Sequence, residues 1–191
     1  MGRAQHRGEG GNGYLFEIMA SNEVLTAHTV AEAGRHNFIQ NWGFGTTGCV
    51  WHDITSRGGT SENNGLSVNG LSEMHHSLAM ANLIEVSTLD DGWSIVNRGA
   101  ESSGAGLTGT SNVLWNVAGV GLVRSYNAGP GWVIGTAPTL RVEVDTRTVV
   151  GRILGAQSAP DDTAEGLGLA ATLAPRSLYL DQRARRRATS P

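Results

Sequence analysis

The sequence predicts an all-β fold of the parallel β-helix kind, on three observations. Glycine supplies 27 of the 191 residues, about twice the usual ~7%. Prolines number only 5, and the glycines keep no three-residue period, which excludes collagen. Apolar residues come in short runs separated by glycine, serine and asparagine, the pattern of short strands between turns. Finally, the runs recur. Asn37-Phe-Ile39, Asn82-Leu-Ile84 and Asn112-Val-Leu114 look alike, with Asn22-Glu-Val-Leu25 a looser match.

Each of the three strings is followed by a second apolar run, Cys49-Val-Trp51, Ser94-Ile-Val96 or Leu122-Val123, and Gly131-Trp-Val-Ile-Gly135 comes third. With 56–72 set aside as an inserted loop rich in glycine, serine and asparagine, the interval is roughly 30 residues, one coil of two or three short strands. About five coils are expected, with turn asparagines bonding backbone from coil to coil. An ordinary β-sandwich with coincidental Asn-aliphatic pairs is the competing reading. Residues 1–13 read as a flexible N-terminal segment, 14–155 as the β-helix domain, with Leu140-Arg-Val-Glu-Val144 as its alternating last strand, and 156–191 as a C-terminal tail. Within the tail a short helix is predicted near 175–187, with Pro175 at its first position and Leu178, Tyr179 and Gln182 on one stripe. Arg183-Ala-Arg-Arg-Arg187 reads as a solvated end.

Charge and composition exclude several function classes. The net charge is −3, so no global field holds the chain on nucleic acid. All 14 basic residues are arginine, which removes lysine Schiff bases, lysine general bases and the P-loop cation. No apolar run reaches the ~18–20 residues of a membrane span, so a soluble protein with no membrane partner is expected. Met1 to Gly13 lacks the apolar segment of a signal peptide, and localisation is left open. Cys49 stands alone, with no disulfide partner and no zinc spacing, and reads as a small buried hydrophobe.

Several strings carry a resemblance. They are Gly11-Asn-Gly-Tyr14, Gly34-Arg-His-Asn-Phe-Ile39, Ser72-Glu-Met-His-His-Ser-Leu-Ala-Met-Ala-Asn-Leu-Ile84, Val113-Leu-Trp-Asn116, Gly131-Trp-Val-Ile-Gly-Thr136, Gly151-Arg152 and Pro175-Arg-Ser-Leu-Tyr179. In this order they resemble the C-terminal part of longer bacterial right-handed parallel β-helix proteins of the pectin-lyase-like superfamily. The resemblance implies a carbohydrate-active or carbohydrate-binding protein, lyase-like or glycoside hydrolase-like, with secreted longer relatives. It also marks two departures. Coils that would precede the matched part are missing, and arginines stand where a closing helix would want leucines, so the C-terminal helix is expected to dock poorly.

Among polar residues the densest cluster is Glu73, His75 and His76. On a strand, Glu73 and His75 share a face and His76 points to the other; a carboxylate beside an imidazole suits acid–base work. Arg35 and His36 open the matching string one coil earlier, where stacking in register places His36 near Ala81 rather than beside Glu73, unless the inserted loop folds the two groups towards each other. Arg35 is suited to neutralise a uronate carboxylate, with a salt bridge to Glu32 as its structural alternative. Catalytic candidates are therefore Arg35, His36, Glu73, His75 and His76. Sugar-stacking candidates are Trp42 and Trp115, beside Asn41 and Asn116. No pair of acids stands out for glycoside hydrolysis; Asp90-Asp91 reads as a turn. No Gly-x-Ser-x-Gly elbow occurs, and the glycine-rich Gly8–Gly13 and Gly43–Gly48 read as corners. The adjacent histidines lack a specific metal spacing, so neither metal nor cofactor is expected.

Two functions follow. The first is action on, or binding of, an acidic polysaccharide. The second is a non-catalytic module that self-associates through exposed coil ends, and a homo-oligomer is expected.

Overall fold

The computed structural model describes residues 2–5, 13–63, 66–144 and 162–189. After β1 (Gly2–Gln5), the chain makes repeated passes through two sheets. β2 (Tyr14–Ile18) and β3 (Leu25–Glu32) form the first pass, β4 (His36–Gln40) and β5 (Val50–Arg57) the second. A hairpin of β6 (Thr60–Asn63) and β7 (Leu66–Asn69) interrupts, antiparallel. β8 (Ser72–Met74), β9 (Ala79–Met80), β10 (Leu83–Glu85) and β11 (Thr88–Leu89) follow, then β12 (Trp93–Ile95), β13 (Gly109–Thr110) and β14 (Val113–Val117). β15 (Leu122–Ser125) with β16 (Trp132–Thr136), and β17 (Arg141–Glu143) with β18 (Thr163–Glu165), complete the sheets, and a helix spans Leu178–Thr189.

The chain is all-β, with parallel sheets. One sheet has the order β1-β3-β5-β10-β14-β16-β18, with β11 beside β5; the other runs β17-β15-β12-β8-β4-β2. Every pairing within both is parallel. Leu25, Val50, Leu83, Val113, Trp132 and Thr163 stand side by side in the first sheet. Their inward neighbours Trp51, Ile84, Leu114 and Val133 stack as a fully buried column. Phe38, Met74, Trp93, Ile95 and Val123 face them from the second sheet, and the Trp51 and Trp93 rings meet edge to face at 5.5 Å. Burial of apolar area between the sheets is the main stabilising contribution.

Asn37 falls in the second sheet, in β4, whereas Asn82 and Asn112 precede strands of the first. The register partner of Leu83 is Val50, so Cys49, and not Asn37, matches Asn82. Both sheets bury an inward face, and their apolar runs are interchangeable by hydrophobicity alone.

Two columns of left-handed residues flank the first sheet. Glu23, Gly48, Ala81 and Ser111 have φ of 57°, 66°, 53° and 55°, each following the bridged residues Asn22, Thr47, Met80 and Thr110. Further along the strands, His28, Asp53, Val86, Asn116 and Gly135 have φ of 53°, 51°, 53°, 52° and 68°. These five are aligned, since their flanking residues pair in register. The chain therefore bends at the same two places in successive passes. Val86 is the costly member, because a β-branched side chain at positive φ crowds its own carbonyl, by about 1–2 kcal/mol. Val86→Gly is expected to raise stability by about 1 kcal/mol, read as a higher urea midpoint; a lower midpoint would show that Val86 packing outweighs the backbone term.

Between the columns runs an asparagine ladder. Asn82 Oδ1 accepts from the Cys49 amide (2.9 Å). Asn112 Oδ1 accepts from the Asn82 amide and Nδ2 (3.1 and 3.0 Å). Asn127 Oδ1 accepts from the Asn112 amide and Nδ2 (3.3 and 2.9 Å). Asn127 Nδ2 in turn donates to Asp162 (2.7 Å). Gly131 holds the ladder's register position in its pass, and a Cβ there would lie 2.2 Å from Asn127 Nδ2. The missing side chain is what lets Asn127 fold in from four residues upstream.

The C-terminal helix starts at Leu178, with Ser177 as its cap: Ser177 Oγ accepts from the Leu180 amide at 3.0 Å. Pro175 is not the first helical residue; its carbonyl accepts from Trp115 Nε1 at 3.0 Å. The helix buries none of its residues, yet its start is firmly held. Glu85, fully buried in the first sheet, accepts from Ser177 Oγ (2.5 Å) and from the Leu178 and Tyr179 amides (2.8 and 3.2 Å). A carboxylate on the unpaired amides of a helix start is electrostatically favoured, and this replaces the apolar docking that the arginines preclude. Most of the expected N-terminal segment, and the Gly151-Arg152 string, lie outside the described residues.

Candidate functional site

The second sheet gathers a polar cluster along β4, β8 and β12. β4 pairs with β8 at Ile39–Glu73 and Gln40–Met74, and β8 pairs with β12 at Glu73–Ser94. His36 lies on β4 and Glu73 on β8, and the chain turns just after Met74, with Ser77 and Leu78 at positive φ. His36 Nε2 lies 3.3 Å from Glu73 Oε1. His75 Nδ1 touches the same oxygen, and the Arg98 guanidinium touches His75 and stands 3.3 Å from Glu73. His36, Glu73, His75 and His76 are all buried.

Above this floor the His75 and His76 rings are 4.7 Å apart, and the Trp42 indole stacks on His76 at 4.1 Å and 18°. His76 is itself held between Asn41 Oδ1 (2.9 Å) and the Ser102 carbonyl (2.7 Å), and Asn41 Nδ2 donates to Glu17 (2.9 Å). Tyr14, Arg35, Asn41, Trp42, His75, His76, Ser102 and Ser103 line a cleft of about 170 Å³. Trp42 is 51% exposed, so one indole face is available to a ligand.

Burial pushes the His36 pKa below its ordinary value and outweighs the attraction of Glu73. For Glu73, burial alone would raise the pKa, but His75, His36 and Arg98 together hold the carboxyl below its usual range. The His76 pKa also falls, through burial first and then through His75 and Arg98, against the pull of the Ser102 carbonyl. The contacts around Glu73 thus favour its ionised carboxylate, and burial favours the neutral imidazole at His36.

No family model matches the chain. No curated protein and no solved structure matches it either. The cleft is therefore read from its own residues.

Arg35, His36, Glu73, His75, His76 and Trp42 all meet at this cleft or its floor. Three placements differ from expectation. His36 lies beside Glu73, not near Ala81, because β4 pairs with β8 and the β6–β7 hairpin leaves the second sheet continuous. His76 shares the side of His75, because strand alternation ends at Met74. Trp115 takes no part: its indole N–H holds the Pro175 carbonyl on the outer face of the first sheet. Glu32 accepts from Arg57 Nε at 2.5 Å. Asp91 does more than turn the chain, since buried it accepts from Asn37 Nδ2 (2.6 Å), Ser56 Oγ (2.9 Å) and the Gly59 amide (2.9 Å).

Nothing in the sequence marks Arg98, Asn41 or Tyr14 as members of the cluster. Arg98 follows β12 in the register position just beyond His76, so only knowledge of that pairing signals it. Glu85 is likewise legible only as an acid in an apolar run, and its partners at the helix start lie more than ninety residues away.

Proposed function

We propose that the chain is a right-handed parallel β-helix module that binds an acidic polysaccharide in the Trp42–His76 cleft. The β-helix reading is supported by passes that visit the two sheets in constant order, by bends that stack in register, and by an asparagine ladder along the stack. Right-handedness follows from the strong preference of parallel crossovers, about 98%. The resemblance to pectin-lyase-like proteins agrees with this reading.

The observation that carries the ligand class is the exposed Trp42 indole, stacked on His76 at the mouth of a cleft that Arg35 also lines. A flat aromatic face beside a guanidinium suits a sugar ring bearing a carboxylate. Binding fits better than hydrolysis, because hydrolysis takes two carboxyl groups flanking the scissile bond, about 5–9.5 Å apart. Here Glu73 is committed to His75 and Arg98. Retention on uronate polysaccharides such as polygalacturonate and alginate is the test, for the wild type and for Trp42→Ala. Loss of the stacking face is expected to weaken binding about tenfold. Failure to bind any uronate polymer, together with a stable dimer or trimer by light scattering, would support the self-association reading instead. Release of unsaturated ends absorbing in the ultraviolet would extend the function to lyase chemistry.

A further inference from the structure

We infer that His36, Glu73 and His75 form a site for a divalent transition-metal ion of the zinc class, with its open position towards the cleft. The inference stands apart from the glycan reading, since the metal is tested by itself.

The first observation is an orphaned nitrogen. His36 is 7% exposed, and its Nδ1–H donates to the Leu71 carbonyl at 2.6 Å. That bond sets the tautomer and leaves the lone pair on Nε2, the arrangement by which a backbone carbonyl orients a metal-ligating imidazole. Nε2 has no hydrogen-bond partner, although it lies 3.3 Å from Glu73 Oε1. With His36 neutral, two lone-pair atoms face each other across that gap. An electrophile placed there satisfies both.

The second observation is the geometry. Ligand atoms of His36, Glu73 and His75 all lie within 4.8 Å of one another, and all three residues are buried. In a tetrahedral zinc site with bonds of ~2.0–2.1 Å, neighbouring ligand atoms are about 3.3–3.4 Å apart; the His36–Glu73 separation of 3.3 Å matches this, whereas the His75 imidazole, in contact with the same Glu73 oxygen, must draw back for the ion to enter. Two imidazoles and one carboxylate suit zinc and its neighbours better than calcium or magnesium, which take all-oxygen sets. Three protein ligands leave a fourth position. His75 lines the cleft, so that position opens where the Trp42 face does.

Arg98 is the competing cation. Its guanidinium touches His75 and stands 3.3 Å from Glu73, where it neutralises the carboxylate that the metal would bind. Partners for it exist on the outer side: Ser102 Oγ at 2.8 Å from one terminal nitrogen and Glu101 at 4.0 Å from Nε. On metal entry Arg98 gives up Glu73 and keeps the Glu101–Ser102 turn.

The test is a calorimetric titration of the untagged full-length chain, stripped with chelator, with zinc chloride at pH 7.5. One ion per chain is expected to bind. His36→Gln and Glu73→Gln are each expected to lose at least about tenfold in affinity, since each removes one of three ligands. Arg98→Ala should bind more tightly than wild type. His28→Ala, at the exposed His28–Asp53 pair, should bind as wild type does. Cobalt(II) in place of zinc should give visible bands of tetrahedral intensity, a readout independent of whether the ligand variants fold. Absence of saturable 1:1 uptake, wild-type affinity in both His36→Gln and Glu73→Gln, or an octahedral cobalt spectrum would each overturn the site.

Discussion

Asn112→Leu is expected to destabilise the chain by about 3 kcal/mol, because it strands several buried polar groups at once. Asn112 Oδ1 receives both the amide and Nδ2 of Asn82, and its Nδ2 donates to the Ala79 carbonyl at 2.9 Å and to Asn127 Oδ1 at 2.9 Å. Leucine matches the volume but supplies neither acceptor nor donors. Asn82 Nδ2 keeps only the Thr46 carbonyl, at 3.3 Å. Since Asn82 and Asn112 are completely or almost completely buried, water cannot replace the lost partners without opening the stack. Urea denaturation reads the loss as a lower midpoint with unchanged slope. A variant within about 0.5 kcal/mol of wild type would show that the ladder decorates the turns rather than holding them.

The second large effect is expected at Glu85, where Glu85→Ala should free the C-terminal helix from the first sheet. The carboxylate takes Ser177 Oγ and two helix amides on one side, and His52 Nδ1 at 2.7 Å on the other. Each buried donor left without its acceptor costs about 1–3 kcal/mol, and several lose theirs at once. The helix has no buried side chain to hold it otherwise. The Trp115–Pro175 and Asn116–Arg176 hydrogen bonds, at 3.0 and 2.9 Å, would still tether the segment before it. About 3 kcal/mol corresponds to roughly a hundredfold larger undocked population, and proteolysis of a transiently opened segment follows that population. Trypsin should therefore cut at Arg183, Arg185, Arg186 and Arg187 about a hundredfold faster in the variant. Equal cleavage rates would mean that the helix is held by something other than Glu85.

Much of the fold is legible in the primary structure, and the reason is periodicity. Short apolar runs between glycine- and asparagine-rich turns declare many short strands, and Asn82 and Asn112 declare their own ladder because they precede matching strands. Asn37 misleads, since its apolar neighbours are the same kind of run on the other sheet. Asn127 is silent for a different reason: its place in the ladder depends on the space left by Gly131. At the candidate site, Glu73, His75 and His76 are visible because they crowd together in sequence. Arg98 and the contact of His36 with Glu73 come from pairing between passes, which the local string does not encode.

By itself, then, the sequence determined the strand-and-turn rhythm, the absence of lysine chemistry, and the residue types available for binding. Local propensity and composition act over a few residues, and those properties need nothing more. Tertiary structure decided the register, and with it which polar groups share a burial site. Parallel strands bring together residues tens of positions apart, and a slip of one residue reverses every inward and outward side chain. That register sets His36 against Glu73, stacks Trp42 on His76, sends Trp115 away to the C-terminal segment, and turns Glu85 from a misplaced acid into the anchor of the last helix.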